Sequence, residues 1–443
     1  MKIQLSDHFT YSKLFRFTLP SIAMMVFTSI YGVVDGYFVS NFAGKTAFAA
    51  INLIMPFVMV LGGMGFMIGT GGTALVSKVL GQRNKATANR YFSMMIEVTL
   101  LLGILLGVLG VVFMEPVARF LKATDEMMAD CVLYGRIVTG FTVTFMLQNV
   151  FQSFLIAAEK PKLGLIATIA AGVTNMVLDA LFVGVFRWGV AGAAVATGLS
   201  QCVGGVFPLI YFLRPNSSLL RFKPAKLEWK PILRACANGS SELMSNVSSS
   251  LVSILYNFQL LRYYGENGVS AYGVLMYVQF IFIAIFIGYS IGCAPVVGFH
   301  YGAENHRELK NMLGKSVLLM GIGGIVLTAL AQGLAEPLAH IFVGYDADLY
   351  TLTVHAFRLF SFTFLLAGFN IFASSFFTAL NNGGVSAAIS FLRTLVFQCA
   401  CILILPEVMR VDGIWWSNFF AEIGSFLVSL LFLLGMRKKY RYF

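Results

Sequence analysis

The sequence predicts an all-α polytopic membrane protein: twelve transmembrane helices in two parallel-repeat six-helix lobes, related by a pseudo-twofold along the membrane normal. Three observations lead there. Of the 443 residues, 58% are hydrophobic and only 12% charged, with a mean hydropathy of +0.81, far too apolar for a soluble domain. Lys and Arg crowd into alternate loops. The chain also matches itself when shifted by half its length.

Stretches long enough to cross about 30 Å of hydrocarbon recur along the whole chain. They lie at 17–39, 48–76, 92–113, 134–157, 164–186, 190–213, 235–261, 270–298, 316–335, 357–380, 385–405 and 413–435. The first is too long for a signal peptide and lacks a small-residue cleavage site, so it stays as span 1. No charge separates Arg358 from Arg393; the division between spans 10 and 11 rests on the turn signal Asn381-Asn382-Gly383-Gly384. The six cysteines form no Cys-x-x-Cys pattern and mostly fall within spans, where they act as small packing residues.

With the N-terminus inside, the loops on that side and the two termini hold 22 of the 31 basic residues and the opposite loops hold 6. Arg136, Arg358 and Arg393 make up the rest. Cytoplasmic loops are the basic ones, so both termini are expected in the cytoplasm of a plasma-membrane protein. The net charge of +11 is then a topology signal, not a sign of nucleic-acid binding: the basic loops read as ordinary positive-inside residues, with contact to anionic membrane lipid headgroups as the alternative.

A shift of 221 residues brings Gly81 onto Gly302, Asn84 onto Asn305 and Glu115-Pro116 onto Glu336-Pro337. After a one-residue insertion, Arg136 falls on Arg358 and Ser153-Phe154 on Ser375-Phe376. The division is an N-lobe at 1–213, a cytoplasmic linker at 214–231 and a C-lobe at 232–443. Six spans is an even number, so both halves enter the membrane in the same sense. Such repeats place the substrate site at their interface and alternate access by rocking.

Ionisable residues inside spans are costly and point to function. Asp35 in span 1 and Asp179 in span 5 share a depth in the outer half of the bilayer. Asn175 lies one turn before Asp179 on the same face, and Thr197 in span 6 sits at a similar level. Four oxygen-bearing side chains at one depth suit a small hard cation or a shared proton. Moving one charge through the membrane potential is worth about 2.3 kcal/mol per 100 mV. The second half carries Tyr256, Phe397 and Cys401 where the first has Asp35, Asn175 and Asp179, so the acidic site belongs to one lobe. Conversely, Glu242, Arg393 and Glu422 stand where the first half has Ser21, Ala171 and Gly198. A structural Glu–Arg pair and a substrate or proton role are both open for them. Pro20 favours a kink in the helix that carries Asp35. Glu97 is near enough to the cytoplasmic face to snorkel. With 42 Phe, 17 Tyr and 20 Met, a central cavity would have soft aromatic walls.

Enzyme motifs fail one by one. Gly314-Lys315-Ser316 lacks the earlier glycine of a P-loop, having Leu309 there, and the five histidines show no metal-ligand spacing. No cofactor is expected, and no metal beyond possible Na+ at the N-lobe site.

Asn175-x3-Asp179, the run Gly189-x2-Gly192-Ala193-Ala194-x-Ala196-Thr197-x2-Ser200-Gln201, and Pro20 with Asp35 together resemble the multidrug and toxic compound extrusion (MATE) family, nearest its MepA-like bacterial branch. The resemblance implies a secondary active antiporter, monomeric, in which Na+ or H+ entering drives out lipophilic organic cations such as drugs, dyes and biocides. By position, Asp35, Asn175, Asp179 and Thr197 match the family's N-lobe cation site, and Pro20 the proline at which span 1 bends. Glu242 matches a span 7 acid used in some branches. The acid that some relatives add in span 10 is missing, where Phe369 and Asn370 stand. The competing expectation is a flippase for a lipid-linked or polyisoprenoid precursor. That cargo would need a cationic cavity, whereas Arg136, Arg358 and Arg393 are the basic residues nearest the spans.

Overall fold

In the computed structural model residues 3–443 are described, the side chains of Ser40, Lys45 and Glu266 excepted. The chain is helical almost throughout. Span 1 is Tyr11–Ala43, span 2 Thr46–Gly81, span 3 Lys85–Val112, span 5 Pro161–Val185 and span 6 Gly189–Leu213. Span 8 is Asn267–Gly302, span 9 His306–Val343, span 10 Ala347–Ala379, span 11 Gly383–Met409 and span 12 Asp412–Tyr440. Span 4 is a bent pair, Asp125–Gly140 and Thr142–Ala157, turning by 55°. Span 7 begins at Trp229 and meets span 8 at Gly265, whose φ of +63° is open to glycine at low cost.

Ten of these helices are long and apolar enough to cross a membrane by themselves, and the bent pair makes an eleventh. The twelfth is span 7, whose middle carries Ser240, Ser241, Glu242, Ser245, Asn246, Ser248, Ser249, Ser250 and Ser253. That polarity lowers its hydropathy, and part of it, as shown below, faces a cavity. The turn between spans 10 and 11 forms where the sequence predicts it: Asn381 takes φ +57° and the Asn382 side chain caps the next helix at Val385 N. Span 9 extends well past its predicted limits because Asn305, accepting from Glu308 N, caps it outside the apolar stretch.

Small residues set how the halves meet. Any side chain larger than hydrogen at Gly71 or Gly239 would overlap the backbone of the other helix, and so would one at Gly81 or Gly302. Those two pairs bring span 2 against spans 7 and 8. Gly288 and Gly292 admit span 1 in the same way, at Ser21 and Ile22. These approaches all lie toward the ends of the spans nearest the termini. Gly32 and Gly36, at the far end of span 1, have nothing within 4 Å. The halves are therefore closed against one another on the terminal face.

Two further contacts lie on the closed face. Leu5 and Phe9 are fully buried. The Leu5 N–H donates to Glu159 Oε1 at 2.9 Å and the Phe9 N–H to Glu308 Oε1 at 2.9 Å. The segment before span 1 thus straps the span 4–5 turn to the start of span 9. The segment between spans 6 and 7 lies along span 3, where Asn89, Ser93 and Glu97 accept from Arg221, Lys223 and Ala225 N–H at 3.0, 2.8 and 3.2 Å.

Candidate functional site

Asp35 and Asp179 approach because spans 1 and 5 pack tightly. Gly172, two turns before Asp179, lies against the rings of Phe27 and Tyr31 with no room for a side chain. The two carboxyl groups lie close to one another, with Asn175 beside Asp35. Asp179 is fully buried and Asn175 nearly so. Both Asp179 oxygens, Asp35 Oδ1, Asn175 Oδ1 and Thr197 Oγ1 are buried without a donor among the described residues. No Lys or Arg pairs with either carboxylate among the described residues. Two neighbouring carboxylates have the chemistry to share a proton or a cation, and the remaining oxygens are hard donors of the type that suits a small cation.

The backbone changes pitch at both acids. Span 1 passes into a π-helical turn at Val39–Ala43, just after Asp35, and span 5 does the same at Ala180–Val185, immediately after Asp179. Such turns cluster at functional sites because they rotate the following side chains out of α register. A third, Leu392–Phe397, contains Arg393. Pro20, by contrast, sits inside an uninterrupted α-helix from Tyr11 to Phe38, packed beside Ser21.

Sequence reasoning missed Tyr134, whose phenol faces Thr197 and both aspartates and is 1% exposed. Tyr31, facing Asp35 and Gln148, is a second omission. No signal in the sequence singles out Tyr134, which stands at the start of the apolar stretch of span 4, where a tyrosine is ordinarily an interfacial anchor. In the other half, Tyr256 stacks on Tyr272 with ring centroids 5.1 Å apart and lies near Cys401. The pairing of Asp35 with Asp179 is thus repeated by Tyr256 and Cys401, without acids.

A cavity of about 410 Å³ lies mostly in the second half. Span 7 lines it with Glu242, Ser245, Ser249, Ser253 and Tyr256; spans 10, 11 and 12 contribute Ser374, Arg393 and Glu422, among others. The first half reaches it through Met25, Ser29, Thr70, Thr73 and Ser153. The expectation of aromatic walls is corrected here. Tyr256, Tyr272 and Phe280 are its aromatics, and hydroxyl and amide side chains stand among aliphatic ones along the rest of the wall. Most Phe face outward or pack between helices, because an apolar ring in a membrane protein needs no cavity to be stable.

The three C-half charges reach this cavity together, but only two pair. Arg393 Nε and Nη2 donate to Glu422 Oε1 at 2.9 and 2.7 Å, and Asn370 Nδ2 donates to Glu422 Oε2 at 2.6 Å. The Glu–Arg pair is therefore Arg393–Glu422, with Asn370 standing where a span 10 acid would repel it. The Glu242 side chain has no hydrogen-bond or ion-pair partner among the described residues. All six cysteines are free thiols, and no group of three or more His, Cys, Asp or Glu side chains forms a metal site among the described residues.

The MatE family profile matches residues 20–181 and again 243–402, once in each half. The chain belongs to the MatE family. MatE relatives include the multidrug export protein MepA of Staphylococcus haemolyticus (strain JCSC1435), 23% identical over 99% of this chain and 97% of that protein. A MATE crystal structure in complex with MaL6 superposes with a TM-score of 0.90 at 21% identity, covering 96% of each chain. An outward-facing multidrug resistance MATE transporter of the MOP superfamily gives 0.89 at 22% identity, again over 96% of each. The MatE fold, with twelve helices in two six-helix lobes, accounts for the whole described chain.

Proposed function

We propose that this MatE protein is a secondary active antiporter of the plasma membrane, exporting organic cations in exchange for Na+ or H+. The observation that carries the proposal is the buried oxygen cluster of Asp35, Asp179, Asn175 and Thr197, which has acids facing acids and no basic counter-ion. Such a cluster changes charge when its ion leaves, and a change of charge inside the membrane couples to the potential. The cluster belongs to the first lobe, whereas the cavity able to hold cargo is mostly in the second. Ion and cargo then compete through the lobe arrangement and need not share one site.

With both termini in the cytoplasm, the closed face is cytoplasmic and the cavity opens outward. Rocking of lobes 1–213 and 232–443 about the 214–231 linker gives alternating access. Bending of span 1 at Pro20 on ion release transmits occupancy to the Ser21 and Ile22 contact with span 8. The relatives named multidrug export proteins support drugs as cargo, and hence a part in antibiotic resistance; dyes and biocides are the further cargo of this reading. Proteoliposomes loaded with ethidium test this: efflux is expected under an imposed Na+ or pH gradient and not without one. Equal dye movement in both directions with no gradient would indicate a passive pore.

A further inference from the structure

On the closed terminal face a second cavity, of about 360 Å³, lies across the seam between the lobes. Span 2 of the first lobe lines it with Lys78. Span 7 adds Arg234 and Asn238, and the turn between spans 10 and 11 adds Asn381, Gly383 and Gly384. Close packing builds these walls. Lys78 is fixed on the seam because its backbone lies against Gly302 of span 8, where a side chain would not fit. Gly383 packs on the Asn238 backbone in the same way, and Asn381 Nδ2 donates to the Ala74 carbonyl of span 2 at 3.1 Å.

Two cations meet here without an acid. The Arg234 guanidinium is near enough to the Lys78 ammonium for the two charges to repel, yet no Asp or Glu lines the cavity. Neither cation has an ion-pair or hydrogen-bond partner among the described residues. Lys78 Nζ rests over the Tyr301 ring, 4.9 Å from its centroid, a contact that holds the ammonium but brings no opposite charge. Arg234 is exposed and Lys78 half-buried, so neither is sealed away from a ligand. The same cavity receives the start of span 11. Asn382 caps that helix through the Val385 N–H, which leaves the Gly383 and Gly384 N–H groups without an acceptor among the described residues. A methyl group added at Gly384 would meet nothing nearer than 4.0 Å, so no side chain shields that edge of the backbone.

We infer that this cavity binds a phosphate group, held by Lys78 from one lobe and by Arg234 with the Gly383 and Gly384 amides from the other. An ammonium, a guanidinium and the first N–H groups of a helix are the donors that suit phosphate oxygens. The phosphate is that of an anionic lipid headgroup or of a free phosphate ion, since both present the same oxygens. Because the donors come from both lobes, the site is assembled in this closed arrangement, and its occupancy offsets the repulsion between Lys78 and Arg234.

The test is thermal unfolding of the purified full-length protein in phosphatidylcholine nanodiscs at constant ionic strength, with potassium phosphate replacing potassium chloride. A second arm uses nanodiscs of phosphatidylcholine with phosphatidylglycerol and no free phosphate. Parent protein and Arg234→Gln are compared in each. In chloride with phosphatidylcholine alone, Arg234→Gln should unfold no lower than the parent, because it removes a repulsion. The Tm of the parent should rise by about 2–4 °C in at least one of the two arms, and Arg234→Gln should lose that rise; Lys78→Gln should lose it as well. A rise with free phosphate assigns the ion, and a rise confined to phosphatidylglycerol assigns the lipid headgroup. No rise in either arm, an equal rise in Arg234→Gln, or an Arg234→Gln protein that unfolds below the parent in chloride overturns the site.

Discussion

At the residue scale, the cluster around Asp35 and Asp179 was legible because a carboxylate in an apolar run is conspicuous whatever surrounds it. Asn175 followed from helical spacing and Thr197 from depth. Tyr134 was not legible, since a tyrosine at a span end is ordinarily an interfacial anchor; only the fold turns its phenol onto Thr197. Removing that hydroxyl takes one neutral polar group away from the cluster, a change on the scale of about 0.5–1.5 kcal/mol once an ion occupies it. Tyr134→Phe is therefore expected to raise the concentration of coupling ion needed for half-maximal export by roughly two- to tenfold, leaving the cargo concentration dependence alone. An ion titration of export rate checks this, and an unchanged ion dependence would take Tyr134 out of the site. The charges of the second half were visible in sequence, but not that Glu422, rather than Glu242, holds Arg393.

At the element scale, the spans were legible from hydropathy, with one instructive exception. Span 7 is polar in part because Glu242, Ser245, Asn246, Ser249 and Ser253 line the cavity, so the polarity that builds the cavity wall also hides the span from a hydropathy measure. Packing between spans 1 and 5 was not legible, since nothing in the sequence says which of 43 glycines faces a ring. Gly172→Val would drive a side chain into Phe27 and Tyr31 and part the two helices. Loss of gradient-driven export with normal amounts of protein in the membrane is the expected outcome, read by transport beside immunoblotting. Retained export would mean the acids need not meet. The strap before span 1 carries a prediction of its own. Phe9→Ala removes a buried ring from the closed face, a change that in other cores costs about 3–5 kcal/mol. In a background without native cysteines, Ser77→Cys, buried against span 8 at Gly298, should then react faster with a maleimide reagent reaching it from the terminal side. An unaltered rate would show that the strap does not hold the lobes together.

At the scale of the whole molecule, two like-folded lobes have diverged in chemistry. One keeps paired acids with no counter-ion; the other replaces them with Tyr256 and Cys401 and builds a polar cavity instead. The internal repeat made the symmetry readable, and comparing equivalent positions made the asymmetry readable. The state of the lobes was beyond the sequence, because closure on the terminal face depends on backbone-to-backbone contacts at Gly71, Gly239 and Gly302, which no composition reports. The central claim is that the first-lobe acids couple ion movement to export. Its most direct test is ethidium efflux from proteoliposomes under separate Na+ and pH gradients, for the parent protein, Asp179→Asn and Tyr256→Phe. The account predicts that Asp179→Asn abolishes gradient-driven efflux while remaining folded, and that Tyr256→Phe does not. Full gradient-driven efflux by Asp179→Asn would contradict it.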